Sequence, residues 1–270
     1  MLQIIRNIRA SVLDQQPLIH CITNPISITQ CANAILAVGG RPIMAEHPRE
    51  VAEITCTAKA LMLNLGNITD ARVESIRTAA ATAQSQGLPI LLDAVGVACS
   101  ALRRNYAAEL LKTVTPTVIK GNYSEIQALC RESYRSSGVD ADSDLEIQTI
   151  DSASITLARR YGSVILASGK IDIVTDGYRL IHIHNGTPLL SRITGTGCML
   201  GALCATFLSA QSGLNAAAAA CAVFGLCGEL AETDRGTGTF FVNLMDALST
   251  LTDADVEKKL KLEEIHIEEI

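Results

Sequence analysis

A chain of 270 residues, 48% hydrophobic and 19% charged, has ample apolar material for a packed core and is not a disordered polymer. Its 22 basic and 28 acidic side chains leave a net charge of −6, with no lysine or arginine cluster to hold nucleic acid or an anionic membrane; the pair Arg103–Arg104 stands alone. Nine cysteines occur without a Cys-x-x-Cys pair or a tight Cys/His group, so the thiols are expected reduced and, Cys198 apart, structural.

Residues 1–15 mix charge with apolar side chains at helical spacing, unlike a secretory signal. Every apolar run is read as shorter than the roughly 18 residues that span a bilayer, and a cytosolic chain is expected. Residues 17–23 (PLIHCIT) predict a strand, with His20 packed near its end. Residues 27–40 predict a helix closed by Gly39–Gly40. A buried strand over 59–66 precedes a helix over 69–87, begun by Thr69 and ended by Gly87. Strands follow at 88–96, 117–122 and 162–168, with helices around 102–113 and from 123 onward. Residues 171–184 alternate in period two about Asp176–Gly177 and predict a hairpin. Helical stretches at 197–211, 214–233 and 239–250 close the chain, before a tail (260–270) that is either a strand or a frayed helix.

Continuous apolar strands separated by helices predict an α/β fold: a mostly parallel sheet covered on both faces, one β-hairpin, and a single domain over 1–270. Ligands of such sheets bind beyond the carboxyl ends of the strands. The strand-end residues Asn24, Gly66, Asp93, Lys120, Asn122 and Ser168 are therefore the first candidates for a site.

The stretch RITGTGCMLGALCATFL (192–208) puts a Gly-Thr-Gly turn at the start of an apolar helix. Gly195 and Gly197 let a ligand approach the backbone, and the helix start offers unpaired N–H groups and partial positive charge, a site for a phosphate. An ordinary glycine-rich entry to a buried helix has the same sequence. No Gly-x-x-x-x-Gly-Lys-[Ser/Thr] occurs, and Gly-x-Gly-x-x-x-Gly is one residue too long for the dinucleotide fingerprint. Cys198 falls in the helix's first turn, where the dipole favours a thiolate that could take a proton from a substrate hydroxyl; it could equally line a pocket. Asp93 and Glu125 offer carboxylates for Mg²⁺ beside phosphate. Asn122-x-x-Glu125 also has the form of a capping box, and both roles can coexist.

Taken together, HCITNPISITQCANAILAVGGRPIMAEHPREVAEI (20–54), LNLGNIT (63–69), ILLDAVG, KGNYSEI and ITGTGC resemble the hydroxyethylthiazole kinases, thiamin-salvage members of the ribokinase-like superfamily. The resemblance covers nearly the whole chain. It implies ATP and Mg²⁺ as co-substrate and cofactor, a thiazole alcohol as acceptor, and a homotrimer with active sites between subunits. It implies Asn24, Met44, Gly66 and Gly195 as thiazole-pocket residues; Met44 would also serve as plain core packing. It implies Asp93 and Glu125 as the Mg²⁺–phosphate carboxylates. Lys120, Ser168, Thr194 and Thr196 would contact ATP, and Gly195, Gly197 and Cys198 would surround the reacting groups. Lys120 stands where that family usually has arginine, Ser168 where it has threonine, and Ala94 where it has proline. Three other readings remain open: a pyrimidine or pyridoxal kinase of the same superfamily, an ATP-dependent dehydratase of hydrated nicotinamide nucleotides, and a non-catalytic thiazole sensor. His47 and the acidic tail have no assigned role.

Overall fold

The computed structural model describes residues 1–130, 147–211 and 213–267. Among the described residues the strands are β1 (Leu18–Ile22), β2 (Arg41–Ile43), β3 (Ala60–Asn64), β4 (Ile90–Asp93), β5 (Val118–Asn122), β6 (Val164–Ser168), β7 (Asp172–Thr175), β8 (Leu180–Ile183) and β9 (Leu262–Ile265). They form one sheet in the order β2-β1-β3-β4-β5-β6-β7-β8-β9. From β2 to β6 every pairing is parallel; from β6 to β9 every pairing is antiparallel. The helices are α1 (Leu2–Gln15), α2 (Ile28–Ala37), α3 (Val51–Thr57), α4 (Asp70–Ser85), α5 (Ala101–Thr113), α6 (Tyr123–Cys130), α7 (Ile147–Tyr161), α8 (Thr196–Leu208), α9 (Gly213–Leu230), α10 (Thr237–Thr250) and α11 (Asp253–Lys259).

The inner parallel strands are apolar over most of their length because each faces a helical layer on both sides. Side chains alternate between two cores accordingly. Ala60 and Met62 of β3 point to the layer of α1, α2 and α8 to α11, while Leu61 and Leu63 point to the layer of α3 to α7. The same parity holds for Leu91 against Leu92 on β4 and for Val118 against Ile119 on β5.

Local signals act as expected at several boundaries. The Thr69 side chain caps α4 by accepting from the Arg72 N–H, and Gly87 ends it at φ +67°. The hairpin β7–β8 turns at Gly177 (φ +88°), with Asp176 Oδ1 accepting from the N–H groups of Tyr178 and Arg179. The strand expected over 88–96 is only Ile90–Asp93, since the chain turns at once into the loop before α5. Within the tail, Leu262–Ile265 form strand β9, paired with β8, and residues 268–270 lie outside the described residues. All nine cysteines are free.

One reading is corrected. Helix α9 is long and apolar enough to cross a membrane by length and composition, and it is the one such helix among the described residues. Most of it is buried, packed on α8, α10 and strands β6 to β8, so its hydrophobicity serves the core.

Candidate active site

The carboxyl ends of β3, β4 and β5 lie side by side, and pairing puts Asn64 opposite Asp93 and Asp93 opposite Lys120. Each follows a residue that points into the α3–α7 core, so each points the other way, toward α8. A polar row thus caps the apolar part of three adjacent strands. All three side chains are buried.

The row is closely bonded. Lys120 Nζ donates to Asp93 Oδ1 at 3.0 Å, and Asn64 Nδ2 donates to Asp93 Oδ2 at 3.0 Å. Asn64 Nδ2 and Asn24 Nδ2 each donate to Cys198 Sγ at 3.3 Å, and Asn64 Oδ1 accepts from Asn24 Nδ2 and from the Gly66 N–H. A Cβ on Gly66 would stand 2.9 Å from Asn64 Oδ1 and 3.0 Å from Asn24 Nδ2, so only glycine fits this close approach. Burial raises the Asp93 carboxyl pKa, and Lys120 and Asn64 pull it part of the way back. For Lys120 burial works downward, but Asp93, with Cys198 and Glu125, carries it above the ordinary lysine value, so the ammonium persists.

Helix α8 starts directly over this row. Gly195 precedes it at φ +89°, and the Gly195 carbonyl accepts from the Met199 N–H at 2.9 Å. The N–H groups of Gly195, Thr196, Gly197 and Cys198 meet no acceptor among the described residues, as the geometry of a helix start requires. A Cβ on Gly197 would meet only Lys120 Nζ, at 3.8 Å, so this glycine opens onto the lysine.

A cavity of about 650 Å³ lies between these elements. Of the residues expected at a site, Asn24, Gly66, Asp93, Lys120, Asn122, Glu125, Ser168, Thr194, Gly195, Thr196, Gly197 and Cys198 all line it. Met44 does not; it is half-buried after β2 and packs on the α8-side core. Thr196 lines the cavity, but its hydroxyl is turned away and donates to the carbonyls of Leu190 and Ile193 at 2.8 and 3.1 Å. Its side chain therefore pins the loop instead of reaching a ligand.

Cys198 also departs from expectation. Burial, and then the Asp93 carboxylate, raise its thiol pKa, outweighing Ser27, Lys120 and Asn24, which lower it. The helix dipole does not deliver a thiolate here. Glu125 caps α6 and faces the cavity together: its Oε1 accepts from the Gly96 N–H at 2.6 Å and its Oε2 from the Asn122 N–H at 2.8 Å. Burial, with Asp93 nearby, lifts its carboxyl to about 7 against the pull of those two N–H groups and Lys120.

Some site residues were not anticipated. Asn64 is the hub of the polar row, and its place at the end of an apolar strand is the signal that would have found it. Arg103 and Arg192 also line the cavity; in the sequence one belongs to a lone arginine pair and the other stands by itself, and neither position marks a site. Arg72, 3% exposed, donates to Glu46 Oε2 and to the carbonyls of Gly66 and Asn67, tying the loop after β2 to the loop after β3. His20 is fully buried within β1, bonded to Thr55 and the Ala45 carbonyl, which holds the same loop from below. His47 Nδ1 accepts from the Arg49 N–H in an exposed turn.

An open, mostly parallel sheet covered on both faces, with a glycine turn and a helix start over the strand ends, defines the ribokinase-like class of fold. A ribokinase-like superfamily protein from Enterococcus faecalis superposes with a TM-score of 0.62 at 16% identity, covering 89% of this chain and 86% of that one. The sequence profile described as Hydroxyethylthiazole kinase family matches residues 10–254. "Hydroxyethylthiazole kinase 2" of Clostridium botulinum is 43% identical over 260 residues, 94% of this chain and 98% of that protein. The solved hydroxyethylthiazole kinase protein of Pyrococcus horikoshii OT3 superposes with a TM-score of 0.90 at 32% identity, covering 98% of this chain and all of that one. The chain belongs to the hydroxyethylthiazole kinase family.

Proposed function

We propose that this chain transfers the terminal phosphoryl group of ATP to the hydroxyl of 4-methyl-5-(2-hydroxyethyl)thiazole, a step of thiamin salvage. The observation that carries the reading is the set of unpaired N–H groups at residues 195–198, opening on a cavity that Lys120, Asp93 and Cys198 also line.

Phosphoryl transfer passes through a loose transition state, so positioning and charge stabilisation do most of the work. The Gly195–Cys198 amides would receive the transferring group as an oxyanion hole does. Asn24 and Gly66 would seat the thiazole beside Cys198, with Ser168, Thr194 and Lys120 on the nucleotide. Lys120 keeps a point charge for phosphate while bound to Asp93. A thiol held protonated is no base in the resting enzyme; the loose transition state releases the hydroxyl proton late and asks little of one.

Among the described residues no group of three or more His, Cys, Asp or Glu is placed to hold a metal by itself. The hard oxygens of Asp93 and Glu125 on the cavity wall suit Mg²⁺ that arrives on nucleotide phosphates and keeps its waters. When bound, Mg²⁺ supplies charge neutralisation on those phosphates. Residues 1–270 are read as one catalytic domain acting in the cytoplasm. A homotrimer with shared sites is supported by Ile26, which lines the cavity yet is 57% exposed, and by Met44, which the single-chain cavity leaves out.

The test is ADP release from Mg·ATP with a panel of thiazole, pyrimidine and pyridoxal alcohols and a hydrated nicotinamide nucleotide. ADP with the thiazole alcohol alone upholds the reading. ADP only with another acceptor, or binding without ADP, replaces it with a different kinase, a dehydratase or a sensor.

A further inference from the structure

The cavity contains a cation to which the mechanism above gives no task. Arg103 lies in the first turn of α5, half-buried, and lines the same wall as Glu125. Among the described residues its guanidinium makes one hydrogen bond, from Nη1 to the Val95 carbonyl at 3.4 Å, and no carboxylate pairs with it. Lys120 is in the opposite condition: its ammonium is 3.0 Å from Asp93, with both side chains at most 4% exposed. Of these two cations in the cavity, the lysine is committed to an internal anion and the arginine is not.

The loop before α5 is shaped around that guanidinium. Gly96 sits at φ +79°, and a Cβ there would overlap Arg103 Nη1, so glycine supplies both the turn and the room. The Gly96 N–H donates to Glu125 Oε1 at 2.6 Å. One residue therefore sets the position of the arginine fork and of a cavity carboxylate together. A guanidinium with most of its N–H groups unused, oriented by one carbonyl on a cavity wall, is built to receive a multiply charged oxyanion through two parallel bonds.

We propose that Arg103 binds phosphate oxygens of the nucleotide. The proposal rests on the kinase reading for its ligand, and its test is chosen to stand apart from turnover. Inorganic tripolyphosphate and adenosine are titrated separately, with Mg²⁺ present, into the wild-type protein and into Arg103→Met, Arg103→Lys and Arg104→Met. Arg104 serves as the control because it donates to the Val97 carbonyl from the same turn and lies off the cavity.

The expected result is that Arg103→Met weakens tripolyphosphate binding by about tenfold or more while adenosine binding is unchanged. Arg103→Lys should fall between, since it keeps the charge and loses the fork, and Arg104→Met should match the wild type. If Arg103→Met fails to fold, Arg103→Lys carries the test alone, with several-fold weaker tripolyphosphate binding expected. Unchanged tripolyphosphate binding in the variants, equal weakening of both ligands, or no binding of tripolyphosphate to the wild type overturns the assignment. A wild-type protein that binds tripolyphosphate through Arg103 but yields no ADP with any thiazole alcohol would sink the kinase reading alone.

Discussion

Lys120 Nζ and Asp93 Oδ1 lie 3.0 Å apart on neighbouring parallel strands, and neither side chain is more than 4% exposed. Each makes the other tolerable in a dry site. Removing one partner leaves a buried charge without compensation, an effect of about 3–5 kcal/mol. Lys120→Met should therefore lower unfolding free energy by about that amount. Lys120→Met with Asp93→Asn should recover most of the loss and restore no catalysis. Urea denaturation of the two variants beside the wild type checks this; equal stability of single and double variants would show that the pair is not coupled.

Glu125 titrates near 7, raised by burial and by Asp93. An acid whose pKa is higher folded than unfolded binds more protons in the folded state between those two values. Its contribution to stability is present in full below the unfolded value of about 4.5, and is lost as pH rises through about 7. Turnover should move the opposite way, rising across pH 7 as the carboxylate forms. The pH profiles of kcat/KM and of chemical denaturation, read together, should cross; a kcat/KM flat from pH 6 to 8 would remove Glu125 from the mechanism.

Cys198 is held as a thiol by burial and Asp93. Iodoacetamide should label it slowly at neutral pH, and Cys198→Ser should keep measurable turnover. General-base catalysis is worth about 10²–10⁴-fold, and a group that is not ionised supplies little of it. Complete loss of activity in a folded Cys198→Ser protein would mean that the thiol does far more than line the pocket.

The two glycines of the turn should fail differently. Gly195 holds φ +89°, and a Cβ there would sit 3.1 Å from Gln30 Oε1, so Gly195→Ala should destabilise by about 1–2 kcal/mol. Gly197 has room for a Cβ, so Gly197→Val should fold with a near-normal melting point. Its branched side chain would occupy the space before the amides, and turnover should drop about 10²-fold or more, the loss expected when an oxyanion donor is removed. Normal ATP turnover by Gly197→Val would contradict the phosphate cradle.

Arg72 bonds Glu46 and the carbonyls of Gly66 and Asn67 at once. Arg72→Met should leave those carbonyls without a donor, at about 1–3 kcal/mol, and should raise KM for the thiazole alcohol more than KM for ATP. Steady-state kinetics with each substrate varied in turn separates the two; equal rises would deny any special tie to the acceptor side.

The parallel strands were legible because burial on both faces writes them as unbroken apolar runs. The hairpin was legible because Asp176–Gly177 marks a turn between two short strands, although burial on both faces of β7 and β8 leaves their alternation without an exposed side. β2 was not, since Arg41-Pro42-Ile43 is a three-residue edge strand, half-exposed and carrying a proline. At the site, strand ends located Asp93 and Lys120, but their ion pair was invisible because lateral register is not a local property of the chain. The same limit explains Cys198: its helix position was correct, while the burial that chiefly raises its pKa, and the Asp93 carboxylate that adds to it, come from how the strands pack beneath the helix. For Thr196 the residue type suggested a ligand contact, and the loop carbonyls of Leu190 and Ile193 claimed the hydroxyl first.

The polar row of Asn64, Asp93 and Lys120 depends on all three strands keeping step. A single-residue insertion within β3, β4 or β5 would rotate that strand's polar tip into the opposite helical layer, where nothing could solvate it. Change at this site is thus confined to exchanging one side chain for another, and the length of these strands is frozen while the loops beyond them remain open to growth.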